Sequence, residues 1–369
     1  MTRRIAFLIP GLTGGGAERV VLALAGHSLA QGRAVDLVML RQEGELLPLV
    51  PPGITLVDLG RPRVRHALFA LRHYVQDAKP DILMVSLWPL TAAVILACLG
   101  LRDRPRIILC DHNDLGAQYG RGRLSRLILW LTIRLTYSRA DALIGVSRGV
   151  ADGMARLAGR PYEQVTAIAN PVPALPQPDV DEAAVQNLWG EAPGPRFLSV
   201  GKFKAQKNHR LLLDAFAKVR RERGGTLAIV GNGPMLEATR GYAASLGLAG
   251  AVRFPGFTLD PGLWYASADV FILSSDHEGL GNVLIEAMQF GLPLVSTNCP
   301  SGPAEILGDN EWGQLVPVGD ADALAEAMVA AAARQVNAAA LKARAAEYAP
   351  EIAFAAYEDV FAKLLPSSA

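Results

Sequence analysis

The chain has 369 residues, 51% of them hydrophobic, and its 36 basic and 35 acidic residues give a net charge of +1. This length exceeds one ordinary hydrophobic core, so two domains of similar size are expected, and the balanced charge argues against nucleic acid as a partner. Three isolated cysteines, Cys98, Cys110 and Cys299, argue against a disulfide framework or a zinc site and favour a reducing cytoplasm.

Short apolar runs alternate with helical patterns through the first half of the chain. RIAFLIP leads into the glycine-rich GLTGGG and then into a helical pattern closed by Gly32. Further runs follow as AVDLVML, DILMVSL, RIILC and DALIGVS, the last of them before a helix predicted to begin near Arg148. Continuous apolar strands that alternate with helices predict a parallel sheet covered on both faces.

Two segments resemble targeting or membrane elements. The start TRRIAFL is similar to a twin-arginine export signal, but its apolar run stops at Gly11 and charges follow, so we expect a first strand. Residues 82–101 carry no charge and are long enough to cross a bilayer. Pro89 divides them into a strand-sized and a helix-sized piece, and we favour a buried strand and a core helix over a membrane span.

A linker is predicted where residues 170–196 become rich in proline and acidic residues and lose their periodicity. Strands are then predicted at RFLSVG, TLAIVG, AVRFPG, VFILSS, LPLVST and GQLVPV. The expected fold class is α/β, with two tandem Rossmann-like, doubly wound parallel sheets. In such a fold, ligands bind at the carboxyl ends of the strands, here in the cleft expected between the domains.

The segment DHEGLG, residues 276–281, joins the strand VFILSS to the helical pattern NVLIEAMQF. A helix start offers backbone N–H groups and a positive dipole end, so an anion fits there. Glu278 stays in the loop, between glycines and the strand. Glu286 lies about one turn into the helix, where a carboxylate can accept from sugar hydroxyls. An anion, hydroxyl groups and a carboxylate together indicate a nucleotide sugar.

A second loop of the same domain is basic, because Lys202, Lys204 and Lys207 lie between the strand RFLSVG and a helix capped near Asn208. Strand-end loops of one sheet converge, so these cations are expected to meet the same anion. The competing interpretation is a solvated lysine loop, an N-capping Asn282 and two solvated glutamates. The complementary character of the two loops favours a binding site.

The chain resembles the donor domain of family-4 retaining glycosyltransferases (glycosyl transferases group 1) of the GT-B fold. The resemblance covers residues 196 to about 335 and extends more weakly to IPGLTGGGAERVV and the C-terminal helix. The motifs that carry it are SVGKFKAQKN, IVGNGP, VRFPGF, WYASADVFILSSDHEGLGNVLIEAM and GLPLVSTNCPSGPAEIL. Two glutamates with seven residues between them are the hallmark of that family.

The resemblance implies that Lys202 and Lys207 hold the donor diphosphate, although the family usually has arginine where Lys202 stands. Glu286 would bind the ribose hydroxyls, and Glu278 would lie by the hexose and stabilise its developing positive charge. The remaining implied donor contacts are the phosphate-cradling backbone of Gly281, Asn282 and Val283 and, near the base, Gly256 and Phe257.

In the first half, the glycines of GGGAER, which are Gly14, Gly15 and Gly16, would let phosphate or acceptor approach the backbone. They do not form G-x-G-x-x-G, so dinucleotide binding is weakly supported. His112 follows the strand RIILC, and the resemblance implies that it contacts the donor sugar. Asp111, His112 and Asp114 also suggest a metal site, but the family neutralises the diphosphate with cations and helix dipoles. We therefore expect no metal and no cofactor.

The implied activity is transfer of a hexose or N-acetylhexosamine from a nucleotide sugar, with UDP favoured, to a glycan or lipid-linked acceptor. A nucleotide-sugar epimerase and a catalytically silent, nucleotide-sugar-binding paralogue are the alternatives. Domains are predicted over residues 1–172 and 196–348, with a linker over 173–195. The resemblance implies that the last helix, residues 349–369, crosses back to the N-terminal domain.

A membrane surface is a further predicted partner. Residues 119–140 contain no acidic residue, and leucine, isoleucine and Trp130 lie among their arginines at helical spacing. These arginines are Arg121, Arg123, Arg126, Arg134 and Arg139. Residues 61–75 repeat the mixture. Basic residues beside apolar ones favour docking on an anionic bilayer, which would make a cytoplasmic enzyme peripheral at the inner face of the membrane. The alternative is an ordinary surface helix whose apolar face joins the core.

Overall fold

The computed structural model describes residues 2–120, 122–191 and 193–365. The chain forms two compact units, one from Met1–Pro171 with Pro350–Ala369 and one from Val172–Ala349. Each unit is built round a parallel sheet with helices between its strands. This architecture confirms the predicted α/β class of two Rossmann-like domains.

The sheet of the first unit has, within the described ranges, the order β3-β2-β1-β4-β5-β6-β7. Its strands are β1 (Arg4–Ile9), β2 (Ala34–Met39), β3 (Thr55–Asp58), β4 (Ile82–Ser86), β5 (Arg106–Asp111), β6 (Ala142–Gly145) and β7 (Thr166–Ala167). Its helices before residue 171 are α1 (Gly16–Ala30), α2 (Leu68–Ala78), α3 (Leu90–Ala97), α4 (Leu115–Tyr119), α5 (Arg123–Thr136) and α6 (Arg148–Ala158).

The apolar stretch over residues 82–101 is a buried strand and a buried helix, as predicted. β4 is buried throughout, and α3 is buried at every position but Leu96. Among the described residues, no helix combines the length and the apolar character that a bilayer crossing needs. β3 and β7 lie at the two ends of the described strand order and have largely exposed side chains, and neither was predicted from the sequence.

The sheet of the second unit has, in the described part of the chain, the order β10-β9-β8-β11-β12-β13. Its strands are β8 (Arg196–Val200), β9 (Thr226–Val230), β10 (Val252–Gly256), β11 (Val270–Leu273), β12 (Leu294–Thr297) and β13 (Gln314–Val316). Its helices are α7 (Glu182–Trp189), α8 (His209–Arg223), α9 (Leu236–Ser245), α10 (Gly262–Ser267), α11 (Asn282–Gln289), α12 (Pro303–Leu307), α13 (Ala321–Ala333) and α14 (Ala338–Ala346). Every strand predicted in this half is present.

The segment predicted as a linker contains the helix α7. Asp181 caps it by accepting the Ala184 N–H at 2.6 Å. At its other end Trp189 is buried, donates to Ser267 at 2.8 Å and packs edge-on against Trp264. A helix this short shows too few turns for its periodicity to be read from sequence, which is why it was missed.

The last helix, α15 (Pro350–Leu364), belongs to the first unit. Arg33 donates to the carboxylate of Glu358 through both terminal nitrogens, one of them at 2.6 Å. Phe354 stacks on His27 with 4.2 Å between ring centroids. The ion pair and the aromatic stack together hold α15 beside α1.

Candidate functional site

The candidate site lies where the strand order of the second sheet reverses. β8 and β11 are parallel neighbours, so the loops at their carboxyl ends, residues 201–208 and 274–281, meet at one edge of the sheet. From this point the chain adds β9 and β10 beside β8 on one side of the sheet, and β12 and β13 beside β11 on the other. This reversal point is where doubly wound sheets bind their ligands.

An ion pair joins the two loops. The ammonium nitrogen of Lys207 lies 2.7 Å from Oε1 of Glu278, and the two side chains are 18% and 7% exposed. The hydroxyl of Ser275 donates to the same oxygen at 2.5 Å. The carboxylate of Glu278 is therefore held by a cation and a hydroxyl in a buried setting. This contradicts the interpretation of Glu278 as a solvated glutamate.

Four further hydrogen bonds fix the shape of the two loops. The carbonyl of Gln206 accepts the Asp276 N–H at 2.8 Å, and the amide of Gln206 donates to the His277 carbonyl at 2.8 Å. Asn208 donates to the Asp276 carboxylate at 2.7 Å while its own Oδ1 accepts the Leu211 N–H at 3.2 Å. Asn208 is thus the N-cap of α8, as predicted, and also a cross-link between loops.

The start of α11 is capped by a glycine. Gly281 has φ 93° and ψ 50°, a left-handed conformation that a side chain at this position would strain. Asn282 is the first residue of the helix, which contradicts the competing interpretation of this residue as the N-cap. Val283 follows it in the first turn, whose backbone N–H groups lie at the positive end of the helix dipole. The three residues predicted to cradle phosphate therefore form one continuous turn.

Glu286 lies in the second turn of α11 and is half-buried. The hydroxyl of Tyr265 donates to its Oε2 at 2.7 Å. Tyr265 is fully buried and stacks on Phe290 with 5.4 Å between ring centroids. This packing fixes the phenol and, through it, the orientation of the Glu286 carboxylate. Glu286 is therefore not a solvated side chain either.

The other predicted donor residues follow neighbouring strands. Lys202 is half-buried and comes two residues after β8, whereas Lys204 is exposed. Gly256 ends β10 with φ 89°, its carbonyl accepts the Gly231 N–H at 2.8 Å, and the half-buried Phe257 follows it. Because β9 separates β10 from β8, these two residues lie roughly 10 Å across the sheet edge from the lysine loop.

Gly14 and Gly15 lie between β1 and α1, Gly15 is the N-cap of α1, and Gly16 is its first residue. The carboxylate of Glu18 folds back over this turn, since a Cβ atom at Gly15 would meet Oε2 of Glu18 at 2.0 Å. Thr13 donates to the same carboxylate at 3.3 Å. A phosphate that used this helix start would have to displace Glu18.

His112 follows β5 in the first unit and is buried. Its Nε2 lies 3.2 Å from the hydroxyl of Ser86 at the end of β4, and burial lowers the pKa of the imidazole to about 4. The ring is therefore neutral at physiological pH. Its Nδ1 is buried and has no hydrogen-bond partner among the described residues. A neutral histidine with one unused nitrogen can offer a hydrogen bond to a ligand.

Asp111 and Asp114 point to separate partners. The hydroxyl of Tyr137 donates to the fully buried Asp111 and lies 3.0 Å from each of its carboxylate oxygens. The hydroxyl of Thr91 lies 2.9 Å from that of Tyr137. Burial raises the pKa of Asp111 to about 7, against the lowering effect of the Tyr137 hydrogen bond. Asp114 caps α4 by accepting the Ala117 N–H. The described residues include no cluster of three or more His, Cys, Asp or Glu that could hold a metal ion.

Both units match known families. The family described as Glycosyl transferases group 1 matches residues 194–334, and Glycosyltransferase Family 4 matches residues 14–174. The two matches include the lysine and glutamate loops of the second unit and the glycine turn and His112 of the first. The chain belongs to the family-4, group 1 glycosyltransferases.

This family-4 chain is similar to curated bacterial proteins. LpsE of Rhizobium meliloti, a lipopolysaccharide core biosynthesis glycosyltransferase, is 32% identical over 232 residues, 62% of this chain and 65% of that protein. The N-acetylgalactosamine-N,N'-diacetylbacillosaminyl-diphospho-undecaprenol 4-alpha-N-acetylgalactosaminyltransferase of Campylobacter jejuni is 27% identical over 217 residues, 58% of this chain and 57% of that protein. The matched stretch thus spans less than two thirds of either relative.

The fold also matches solved structures of GT-B glycosyltransferases. Anabaena HepE, crystallised in complex with UDP and glucose, superposes with a TM-score of 0.81 at 19% identity, covering 97% of this family-4 chain and 99% of that one. At such identity the likeness shows the shared fold.

Sequence reasoning about this family-4 site missed two supporting residues, Ser275 and Tyr265. Ser275 lies three positions before Glu278 in the segment SSDHEG, and serine beside a strand end was the only signal for it. Tyr265 precedes Glu286 by 21 positions and meets it only because α10 and α11 fold together. No local pattern predicts such a contact.

Proposed function

We propose that this protein is a retaining glycosyltransferase. It moves a hexose or N-acetylhexosamine from a nucleotide sugar, with UDP as the nucleotide, to a glycan or lipid-linked acceptor in polysaccharide or glycolipid biosynthesis. The observation that carries the proposal is the ion pair of Lys207 with the buried Glu278 at the reversal point of the second sheet, directly before a glycine-capped helix start.

Each part of that arrangement suits one part of a nucleotide sugar. Lys202, Lys207 and the first turn of α11, with Gly281, Asn282 and Val283, are assigned to the diphosphate. Glu286, oriented by Tyr265, accepts from the ribose hydroxyls. Gly256 and Phe257 are assigned to the base. Glu278 is assigned to the hexose.

The chemistry places opposite charges at the two sides of the breaking bond. When the anomeric carbon–oxygen bond breaks, negative charge develops on the diphosphate and positive charge on the sugar. Lys207 can then interact with the diphosphate while Ser275 keeps its hydrogen bond to Glu278. The carboxylate stays oriented and becomes available to the sugar. Cations and the helix dipole neutralise the leaving group, so the proposed reaction needs no metal.

Two assignments concern the first unit. His112 is proposed as a catalytic contact to the donor sugar, with its neutral imidazole as hydrogen-bond partner. Gly14, Gly15 and Gly16 are proposed as the close backbone approach for phosphate or acceptor, reached once Glu18 is displaced.

The relatives support the donor and the acceptor class. LpsE is named for lipopolysaccharide core biosynthesis, and the Campylobacter jejuni relative is named for a diphospho-undecaprenol-linked sugar. The structurally similar HepE binds UDP and glucose. An undecaprenol-linked acceptor lies in a membrane. We therefore propose a cytoplasmic enzyme that works peripherally at the inner face of the membrane.

Calorimetric titration with UDP tests the donor site. Lys207→Met and Glu286→Ala should each raise the Kd for UDP by about tenfold or more, because each removes a charged hydrogen-bond partner. Lys218→Met and Glu326→Gln, which change an exposed lysine on α8 and an exposed glutamate on α13, should leave it unchanged. If Glu286→Ala binds UDP and turns over as the wild type does, the site assignment is wrong.

A second measurement separates transfer from the alternatives. A transferase releases UDP from a UDP-sugar in proportion to the acceptor supplied. An epimerase converts the sugar without releasing UDP, and a silent paralogue binds UDP without either reaction. UDP release that does not depend on any glycan or lipid-linked acceptor would refute the proposed activity.

A further inference from the structure

Helix α5 of the first unit presents an unusual amount of apolar surface to solvent. Of the seventeen large hydrophobic side chains that are exposed among the described residues, six lie on this one helix. They are Leu124 at 70% exposure, Leu127 at 55%, Ile128 at 48%, Trp130 at 46%, Leu131 at 46% and Leu135 at 53%. Single exposed leucines need no explanation, but a cluster on one element marks an interaction site.

The exposed leucines form a face of their own. The core takes Leu129, Ile133 and Thr136, which are buried and recur at helical spacing. Residues 124, 127, 128, 131 and 135 recur at the same spacing on the opposite side of the helix. The alternative of an ordinary surface helix accounts only for the buried face. α5 has a second apolar face that the first unit does not cover.

The charges along this face have one sign. Arg123, Arg126 and Arg134 are exposed, and the sequence over residues 119–140 contains no aspartate or glutamate. The guanidinium of Arg134 donates to the Ala158 carbonyl at 2.8 Å, which holds it beside the helix. Arg121, also predicted to belong to this basic surface, lies outside the described residues. A tryptophan and arginines that border an aliphatic face are typical of helices that lie in a bilayer interface.

The neighbouring helices extend the apolar surface. α3 packs against both α2 and α5. Leu96 in the last turn of α3 and Leu99 just after the helix are 49% and 48% exposed, and Phe69 on α2 is 78% exposed. Arg63 and Arg65, just before α2, are also exposed. The second basic and apolar stretch of the sequence thus lies on the same layer of helices as α5.

We propose that the exposed face of α5 docks on an anionic lipid bilayer, with Leu124, Leu127 and Leu131 entering the headgroup–acyl boundary and the arginines contacting lipid phosphates. The charge argues for this occupant over a second copy of the chain. A two-fold interface would bring the arginines of α5 against the same arginines of its partner, with no acidic residue on the helix to compensate them. The proposal rests on the proposed function, in which the acceptor is lipid-linked.

Vesicle flotation tests the proposal. The full-length protein is mixed with vesicles of phosphatidylcholine alone or with about one third phosphatidylglycerol, at low and at high salt. We expect binding to the anionic vesicles, weakened by salt. The double variant Leu127→Ser/Leu131→Ser should have an affinity for the vesicles that is lower by about tenfold or more. The double variant Arg123→Glu/Arg126→Glu should lose the preference for anionic lipid.

Matched controls keep this result specific. Ile352→Ser changes an aliphatic side chain of α15 that is 55% exposed, and Arg221→Glu changes an exposed arginine of α8. Both should bind vesicles as the wild type does. Quenching by bromine-labelled lipid should disappear in Trp130→Phe, because Trp130 would be the tryptophan at the lipid surface. Circular dichroism should show all variants folded, since the changed side chains are exposed.

The outcomes separate this proposal from the proposed function. Wild-type protein that stays with the soluble fraction at low salt overturns the bilayer proposal, as does a leucine variant that binds normally. Dimers that become monomers in the leucine variant would show a second copy as the occupant. UDP affinity should be equal in all α5 variants. If the wild type binds vesicles but not UDP, the docking surface stands and the proposed donor site fails.

Discussion

The buried carboxylate of Asp111 should make the stability of the first unit depend on pH in an unusual direction. Its side chain is fully buried at the end of β5, and its hydrogen-bonding partner is the hydroxyl of Tyr137. Burial raises the pKa of Asp111 from 3.8 to about 7, although the Tyr137 hydrogen bond acts in the lowering direction. The substitution that removes this titration with little change of shape is Asp111→Asn.

The size of the effect follows from the two pKa values. A difference of one in pKa corresponds to about 1.4 kcal/mol, so the change from 3.8 to about 7 corresponds to about 4 kcal/mol. Because the pKa is higher in the folded state, folding takes up a proton between these values. The stabilising contribution is complete below pH 3.8 and is lost as pH rises through about 7.

Two histidines with the opposite pH dependence hide this slope in the wild-type protein. Burial lowers the pKa of His112 to about 4, and burial with the charge of Lys207 lowers that of His209 to about 3. A histidine whose pKa is lower in the folded state contributes stability above its unfolded value of 6.5, and that stability is lost as pH falls. The histidine contributions therefore rise over the range in which that of Asp111 falls. Only the difference between variant and wild type isolates Asp111.

The assay is urea unfolding of wild type and Asp111→Asn at several values between pH 4 and pH 8. The free energy of unfolding of the variant minus that of the wild type should rise by about 4 kcal/mol across this range. Asp141→Asn is the control, because this carboxyl titrates below the assay range. Burial acts to raise the pKa of Asp141, but hydrogen bonds from Arg104, the Ile107 N–H and Arg106 outweigh it and lower the value. Its stabilising contribution is therefore present above the unfolded value of 3.8 and is lost only at lower pH, so its difference profile should stay nearly flat over the assay range. A profile for Asp111→Asn that is flat within about 1 kcal/mol would refute the reasoning.

Three further predictions concern the second unit and the reaction. Lys207→Met should lower the free energy of unfolding by about 3 kcal/mol, because it leaves the 7%-exposed carboxylate of Glu278 uncompensated. Glu278→Gln should lower it by less, because Lys207 can rehydrate. Equal losses in urea titrations, with no recovery in the double variant, would contradict this. Tyr265→Phe should raise the Kd for UDP about threefold to tenfold by releasing Glu286, and an unchanged Kd in calorimetry would show that the phenol does not position it. Turnover should keep its full rate in a strong chelator, and recovery of a lost rate by manganese would instead indicate a metal site.

The fold could be predicted from the sequence where strands are buried on both faces. β9 and β11 are buried at every position and read as unbroken apolar runs. β3 has no buried residue and lies at a sheet edge, so its sequence carries no comparable pattern. Helix α7 is marked by its Asp181 cap but spans only eight residues.

The sequence was enough to predict which loops form the site. The charges of Lys207 and Glu278 stood out because both follow apolar strands, and parallel strands end at one edge. Their mutual contact could not be predicted, since the resemblance assigned one to the diphosphate and the other to the sugar. The competing interpretation placed the cap of α11 at Asn282, since asparagine is a common N-cap, but the left-handed turn at Gly281 makes the glycine the cap.

The hydrogen bonds between the loops after β8 and β11 also make the site a late product of folding. They connect residues 68 to 71 positions apart, so the whole stretch from α8 to β11 must be closed into a loop before they form. The Asp276 N–H donates to the Gln206 carbonyl. Its exchange with deuterium therefore requires the two loops to separate, whereas amides within α8 can exchange by opening that helix alone. The exchange rate of this single amide reports how often the site comes apart.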